Sequence, residues 1–294
     1  MHGKQSATVV APRSYLYVPA DQRALVFKAH QRDADALIID LEDAVLPSAK
    51  GVARNMVTEW LSAHHTDKPV WVRVNSDDLL ADISLLTSQV TGVILPKAEP
   101  QTLDSVDYML SEVEGHLGVE DATFGVIALI ETAKGLRASD DLACHRRTAH
   151  LALGRADLAA ELRFKVHPEG PEFRTILLDL VIASSAAGIA PPVAPTSTDF
   201  RDLDALREST ERMFELGMYG RTAIHPAQTP VINQVFTPSK PEIEKARKLI
   251  AALDDADRSG HGIAVDDDGR MIDVAIVRSA REVLRRADVI TPSA

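Results

Sequence analysis

Along the 294-residue chain, charged residues recur directly after short apolar runs: Asp40-Leu41-Glu42-Asp43, Arg73-Val74-Asn75, Pro96-Lys97-Ala98-Glu99, Glu131-Thr132 and Gly154-Arg155-Ala156-Asp157. If each run is a strand of one parallel sheet, all of these clusters face the same end of it. Adjacent strands lie about 4.8 Å apart, so Glu131 and Asp157, closing successive runs, can converge on one ion. Two carboxylates completed by water and substrate oxygens make a usual Mg2+ site, because that ion is seldom held in an all-protein cage. Helix capping is the competing reading, since a helix begins beside each carboxylate and acidic groups are favoured at helix N-termini.

Arg73 ends the apolar run Val70-Trp71-Val72 and should project its guanidinium into the same space. A permanently charged fork there suits a substrate carboxylate or a developing enolate. It can equally pair with Asp40, Glu42 or Asp43 as a structural partner, and the two roles can coexist. A Schiff-base role for Lys97 would need burial and a lowered pKa, which its carboxylate-rich surroundings oppose. His225, before Pro226, reads as a structural histidine packed under a turn.

The elements that would position these groups show in the hydrophobic pattern. Ser14–Pro19, Ala36–Leu41, Val70–Asn75, Gly92–Pro96, Phe124–Ile130, His150–Gly154 and Thr222–His225 are β-rich runs bounded by polar or turn residues. Between them, Leu25–His30, Ala49–Leu61 and Leu79–Leu86 carry apolar residues at helical spacing. Such alternation implies a parallel sheet with helical crossovers. An eighth strand is needed near Pro191–Pro195, where prolines weaken the pattern. Eight units ending near Gln234 predict an α/β fold, a (β/α)8 TIM barrel. An open doubly wound sheet is the alternative, but no G-x-G-x-x-G follows the first run.

The catalytic barrel domain is therefore expected over residues 1–237, with residues 238–294 forming a C-terminal helical arm or lid. That segment contains helical stretches at Pro241–Asp254 and Ile276–Ala287, with an acidic turn at Asp266-Asp267-Asp268 between them.

Composition narrows the partners. Forty-three acidic against 32 basic residues leave a net charge of −11, which excludes the basic footprint of a nucleic-acid or anionic-membrane binder. The lone Cys144 excludes an internal disulfide framework and multi-cysteine metal sites. No apolar signal region opens the chain, and the longest uncharged run, Leu180 to Thr198, is broken by prolines. The expectation is a cytoplasmic globular protein.

Taken in order, Arg13-Ser14 with Val18-Pro19, Asp40-Leu41-Glu42-Asp43-Ala44-Val45, Arg73-Val74-Asn75, Leu95-Pro96-Lys97, Ile130-Glu131-Thr132-Ala133-Lys134-Gly135, Leu153-Gly154-Arg155-Ala156-Asp157-Leu158, Ala223-Ile224-His225-Pro226 with Gln228, and Gly269-Arg270-Met271-Ile272-Asp273 resemble one known group. It is the citrate lyase β-subunit-like group of the HpcH/HpaI aldolase superfamily, and the resemblance runs from Arg13 to about Ala287.

The resemblance implies a Mg2+-dependent carbon–carbon lyase acting on a 3-hydroxyacyl-CoA thioester of the malyl-, citramalyl- or citryl-CoA type. The products would be acetyl-CoA and an α-keto acid. Carried over, Glu131 and Asp157 are the metal ligands and bind substrate through the ion, and Arg73 holds substrate and stabilises the thioester enolate. Glu42 and Asp43 orient water around the metal, and Arg13 and Lys28 are substrate contacts, Lys28 towards the coenzyme A phosphates. Asp273 becomes a catalytic acid/base inserted into a neighbouring subunit's site, which implies a homotrimer or a multiple of one.

Two departures stand out. Ala20-Asp21-Gln22-Arg23 replaces the group's Gly-Asp-Arg-Pro, and the Pro191–Asp199 region lacks its Gly-Val-Tyr-Pro. The alternatives are a pyruvate-type aldolase on free hydroxy-keto acids and a citrate lyase β subunit whose substrate rides on a carrier protein.

Overall fold

Seven runs of β-branched and aromatic residues pair in parallel in a computed structural model that describes residues 11–163, 171–258, 264–265 and 271–290. The acidic turn at residues 266–268 and Gly269-Arg270 lie outside the described residues. In chain order the first half runs β1 (Ser14–Pro19), α1 (Arg23–Val26), β2 (Ala36–Asp40), α2 (Lys50–Ala63), β3 (Val70–Arg73), α3 (Leu79–Ile83), β4 (Gly92–Leu95), α4 (Pro100–Leu117) and β5 (Gly125–Ile130). It continues with α5 (Ala133–Arg137), α6 (Ser139–Cys144), β6 (Thr148–Leu153), α7 (Arg155–Leu162), α8 (Pro171–Ala187), α9 (Leu203–Glu215), β7 (Arg221–Ala223) and α10 (Gln228–Phe236).

The strand order is β6-β5-β4-β3-β2-β1-β7. Two-residue periodicity turns Tyr15, Tyr17 and Pro19 of β1 inward. Their neighbours Leu16 and Val18 are buried on the other face, as expected for strands covered by helices. A typical covering helix is α2, which buries Ala53, Val57, Trp60 and Leu61 at helical spacing.

The eighth position of the ring is reduced to two residues, and proline is the reason. Pro191, Pro192 and Pro195 have no N–H to give. The two residues that do, Val193 and Ala194, donate to Leu151 O at 2.9 Å and Gly220 O at 2.9 Å. Single parallel bridges, Val193 to Ala152 and Ala194 to Arg221, thus link both outer strands. Nearby, His150 Nδ1 lies 2.9 Å from Pro191 O. Buried Arg221 donates to Pro195 O at 3.0 Å and to Thr210 Oγ1 at 2.7 Å.

The chain divides into two compact units, residues 12–234 and a second containing residues 1–11 and 235–294. In the second, α11 (Lys240–Arg258), a short antiparallel pair of β8 (Ala264–Val265) and β9 (Met271–Ile272), and α12 (Val274–Ile290) follow one another. Ile272 and Val277 are buried there against Leu249, Ile250 and Leu253. Among the described residues no helix is long and apolar enough to cross a membrane.

Candidate active site

A cavity of about 630 Å3 occupies the C-terminal end of the strands, with Tyr17, Asp40, Asp43, Arg73, Glu131 and Asp157 among its lining residues. Asp40 and Arg73 are register partners on β2 and β3, so both side chains point into it side by side. Arg73 Nε and Nη2 donate to the two Asp40 oxygens at 2.7 Å and 2.6 Å. Its Nη1 stands 2.9 Å from Glu42 Oε2 and 3.4 Å from Asp43 Oδ2. The guanidinium carbon lies 4.9 Å from the centre of the Tyr17 ring, a cation–π contact.

Burial opposes the Arg73 charge, but the hydrogen bonds and charge of Asp40 outweigh it and shift its pKa upward. For Glu42 burial prevails over the attraction of Arg73, with Asp43 and Glu131 adding repulsion, and its pKa is pushed up to about 7. The structural pairing of Arg73 is therefore present while the side chain also lines the cavity.

Glu131, only 3% exposed, follows β5. Its Oε1 accepts a 2.9 Å hydrogen bond from the Lys97 amide. Lys97 stands at φ 47°, a left-handed conformation uncommon outside glycine and worth notice beside a site. Lys97 thus contributes its backbone, while its side chain is exposed. On the other side of Glu131 is Gly154: a methyl group there would stand 2.5 Å from Glu131 Oε2 and 2.9 Å from its Cβ.

Burial pushes the Glu131 pKa up to about 7; the Lys97 amide counteracts it, and the charge of Asp157 adds to it. Capping of α5 is done by Thr132, whose hydroxyl accepts from the Gly135 amide at 3.0 Å, so Glu131 is left for another role. Asp157 lies exposed in the first turn of α7.

A buried carboxylate with a raised pKa beside a second carboxylate is short of positive charge, and hard oxygen donors of this kind fit Mg2+. Two carboxylates leave such an ion to share its coordination with water and substrate.

The other expected residues fall elsewhere. Arg13 precedes β1, at the end of the sheet opposite the cavity, and its Nε and Nη2 donate to Asp35 Oδ2 at 2.7 Å and Oδ1 at 2.9 Å. Its fork is engaged with Asp35 at the start of β2, and Arg13 does not line the cavity. Lys28 is exposed in the turn after α1 and does not line the cavity. Arg23, in the segment that departs from the family pattern, is exposed and pairs with Glu59 at 2.5 Å.

His225 stacks on Phe200 with ring centres 4.9 Å apart. Gln228 explains the motif around it: its Oε1 accepts from the Ile224 and His225 amides, and its Nε2 donates to Ser197 O at 3.0 Å. Asp273, in the C-terminal unit, caps α12 by accepting from the Ile276 amide at 2.8 Å and is exposed.

Sequence reasoning passed over Tyr17 and Gly154, and saw Asp40 only as a pairing option. Tyr17 was legible from the Tyr15-Tyr17-Pro19 alternation. Gly154 had no such signal, because its role is the space it leaves.

The HpcH/HpaI aldolase/citrate lyase family model matches residues 13–226. A (3S)-malyl-CoA thioesterase of Cereibacter sphaeroides is 34% identical over 95% of each chain. The citrate lyase subunit beta of Escherichia coli is 31% identical over 94% of this chain and 93% of its own. Among solved structures, CitE from Mycobacterium tuberculosis in complex with magnesium, acetoacetate and coenzyme A superposes with a TM-score of 0.73 at 28% identity, covering 93% of this chain and 97% of that one.

Proposed function

The chain belongs to the HpcH/HpaI aldolase/citrate lyase family, and on that footing we propose that it is a Mg2+-dependent carbon–carbon lyase cleaving a 3-hydroxyacyl-CoA thioester to acetyl-CoA and an α-keto acid. The observation that carries this reading is the placement of Glu131 and Asp157 on one rim of a cavity whose other side presents Arg73.

Glu131 and Asp157 would hold Mg2+, which when bound supplies Lewis-acid polarisation of the substrate's carboxylate and hydroxyl oxygens. A base takes the 3-hydroxyl proton, the C3 oxygen forms a carbonyl as the C2–C3 bond breaks, and the bonding pair moves into the thioester enolate. Arg73, locked by Asp40 and charged at any working pH, offers its remaining N–H groups to that enolate oxygen. The enolate then takes a proton at C2, and Asp273 is the donor assigned to it.

Because Asp273 lies in the C-terminal unit, residues 238–294 are read as an arm that carries it into a neighbouring subunit's cavity, in a homotrimer or a multiple of one. Glu42 and Asp43 hold Arg73 and order water beside the ion. Lys28 is left to the coenzyme A phosphates.

The test is acetyl-CoA release from malyl-, citramalyl- and citryl-CoA with Mg2+ and with EDTA. Release abolished by EDTA supports the lyase; activity untouched by EDTA sinks the metal assignment. Mixing inactive Glu131→Gln with inactive Asp273→Asn should restore part of the activity if the arm acts in trans. A second reading, thioester hydrolysis, is favoured by the 34% identity to the malyl-CoA thioesterase. It would release free coenzyme A and the intact hydroxy acid, malate in the case of malyl-CoA.

A further inference from the structure

Beneath the rim the cavity turns apolar. On β5 the inward positions are Ile127, Leu129 and then Glu131; on β6 they are His150, Ala152 and then Gly154, with Leu129 and Ala152 register partners. The layer directly under Glu131 and Gly154 is therefore Leu129 and Ala152, and Ile38, Ile94 and Val193 complete it. Ala152 is the smallest of these side chains and lines the cavity.

The charged lining has little to offer another anion. Asp40, Asp43, Glu131 and Asp157 face two cations among the described lining residues, Arg73 and Arg155. Arg73 is committed to Asp40, Glu42 and Asp43 at 2.6–3.4 Å. Arg155 opens α7 with its guanidinium carbon 6.0 Å over the Phe173 ring. A divalent ion on Glu131 and Asp157 would balance the lining and take the substrate's first carboxylate, and what N–H capacity Arg73 has left goes to the enolate oxygen. Among the described residues a second carboxylate would meet no further counter-ion at this apolar floor, which is heavily disfavoured.

We propose that the space over Ala152 is a specificity pocket for an apolar group on the carbinol carbon, so that the preferred acyl group carries one free carboxylate and a hydrogen or small alkyl substituent. This rests on the lyase reading above. The bulky coenzyme A must leave through the open rim, so the opposite end of the acyl group, with its C3 substituent, faces the pocket floor. Citramalyl- and malyl-type thioesters fit; a citryl-type thioester, with a carboxymethyl group at C3, does not.

One methyl group in an apolar pocket is worth about 10–200-fold in selectivity. With Mg2+, the native chain should cleave citramalyl-CoA with kcat/KM at least ~100-fold above that for citryl-CoA. Ala152→Leu should lower kcat/KM for citramalyl-CoA at least ~10-fold more than for malyl-CoA, with Mg2+ affinity unchanged. Ala152→Val is the smaller change should the leucine variant not fold.

Citryl-CoA turned over as well as citramalyl-CoA overturns the proposal, and loss of that turnover in Arg155→Met would assign the second carboxylate to Arg155. An unchanged citramalyl-to-malyl ratio in both Ala152 variants also overturns it. If no thioester is cleaved, the lyase reading fails by itself, and calorimetric titration of the Mg2+-loaded protein with keto acids still decides the pocket. Ala152→Leu should then weaken pyruvate at least ~10-fold more than glyoxylate; equal affinities refute the assignment.

Discussion

Gly154→Ala should uncouple Mg2+ binding from folding. The φ of Gly154 is −88°, so no left-handed backbone calls for glycine there, and the requirement is space alone. An ordinary C···O contact is about 3.3 Å, whereas the added methyl would stand 2.5 Å from Glu131 Oε2, so that oxygen must retreat by about 0.8 Å. Rotation of the carboxylate does not fully relieve this, because the methyl would also stand 2.9 Å from Glu131 Cβ.

Metal–ligand distances tolerate about 0.2 Å, and Mg2+ is the more exacting of the common hard cations. Misplacing a ligand through its support typically weakens a metal site about 10–100-fold, which corresponds to about 1.4–2.7 kcal/mol. Folding should respond differently: replacing glycine contributes about 0.4–1 kcal/mol through the unfolded chain, offset by the displaced side chain. Calorimetric Mg2+ titration should show the affinity loss, and urea unfolding in EDTA should agree with the native protein to within about 1 kcal/mol. Native Mg2+ affinity in Gly154→Ala would refute the claim that Glu131 holds the ion in the orientation seen here.

Three further outcomes are expected. Arg73→Met leaves Asp40, 2% exposed, without its cation, and should cost about 3–5 kcal/mol in urea unfolding as well as activity; unaltered stability would mean that the ion-pair cluster is not held by Arg73. The Glu131 pKa of about 7 lies above its ordinary 4.5, so the metal-free native state binds that proton more tightly than the unfolded chain. This group's contribution is then fullest below about pH 4.5 and is lost as pH rises through 7. Since Mg2+ requires the deprotonated form, the Tm gain from Mg2+ over EDTA should widen between about pH 5 and 8, and a constant gain would contradict the assignment. Arg221→Leu strips the Pro195 carbonyl of its 3.0 Å donor and should cost about 2–3 kcal/mol, read as a lowered urea midpoint; no change would make the buried guanidinium dispensable to the closing segment.

Much of this was legible in the sequence because it depends on local periodicity. Runs such as Ser14–Pro19 form the strands they suggest, since alternation and β-branched content act over a few residues. Helix bounds are less secure: Leu25–His30 became the four-residue α1 and a separate 3-10 turn. Glu131, Asp157 and Arg73 could be gathered at one end of the strands from the β/α order alone, because a parallel sheet presents every strand's C-terminal end on one side.

What only the tertiary structure decided are distances between residues far apart in the chain. Arg13 has the composition of a ligand-binding fork, and its position before β1 turns it to Asp35. The register that pairs Asp40 with Arg73, the left-handed Lys97 that aims an amide at Glu131, and the missing side chain of Gly154 that admits that carboxylate leave no mark in residue type. Period and polarity are properties of neighbours along the chain, whereas register, strain and empty space arise only when separate segments are packed together.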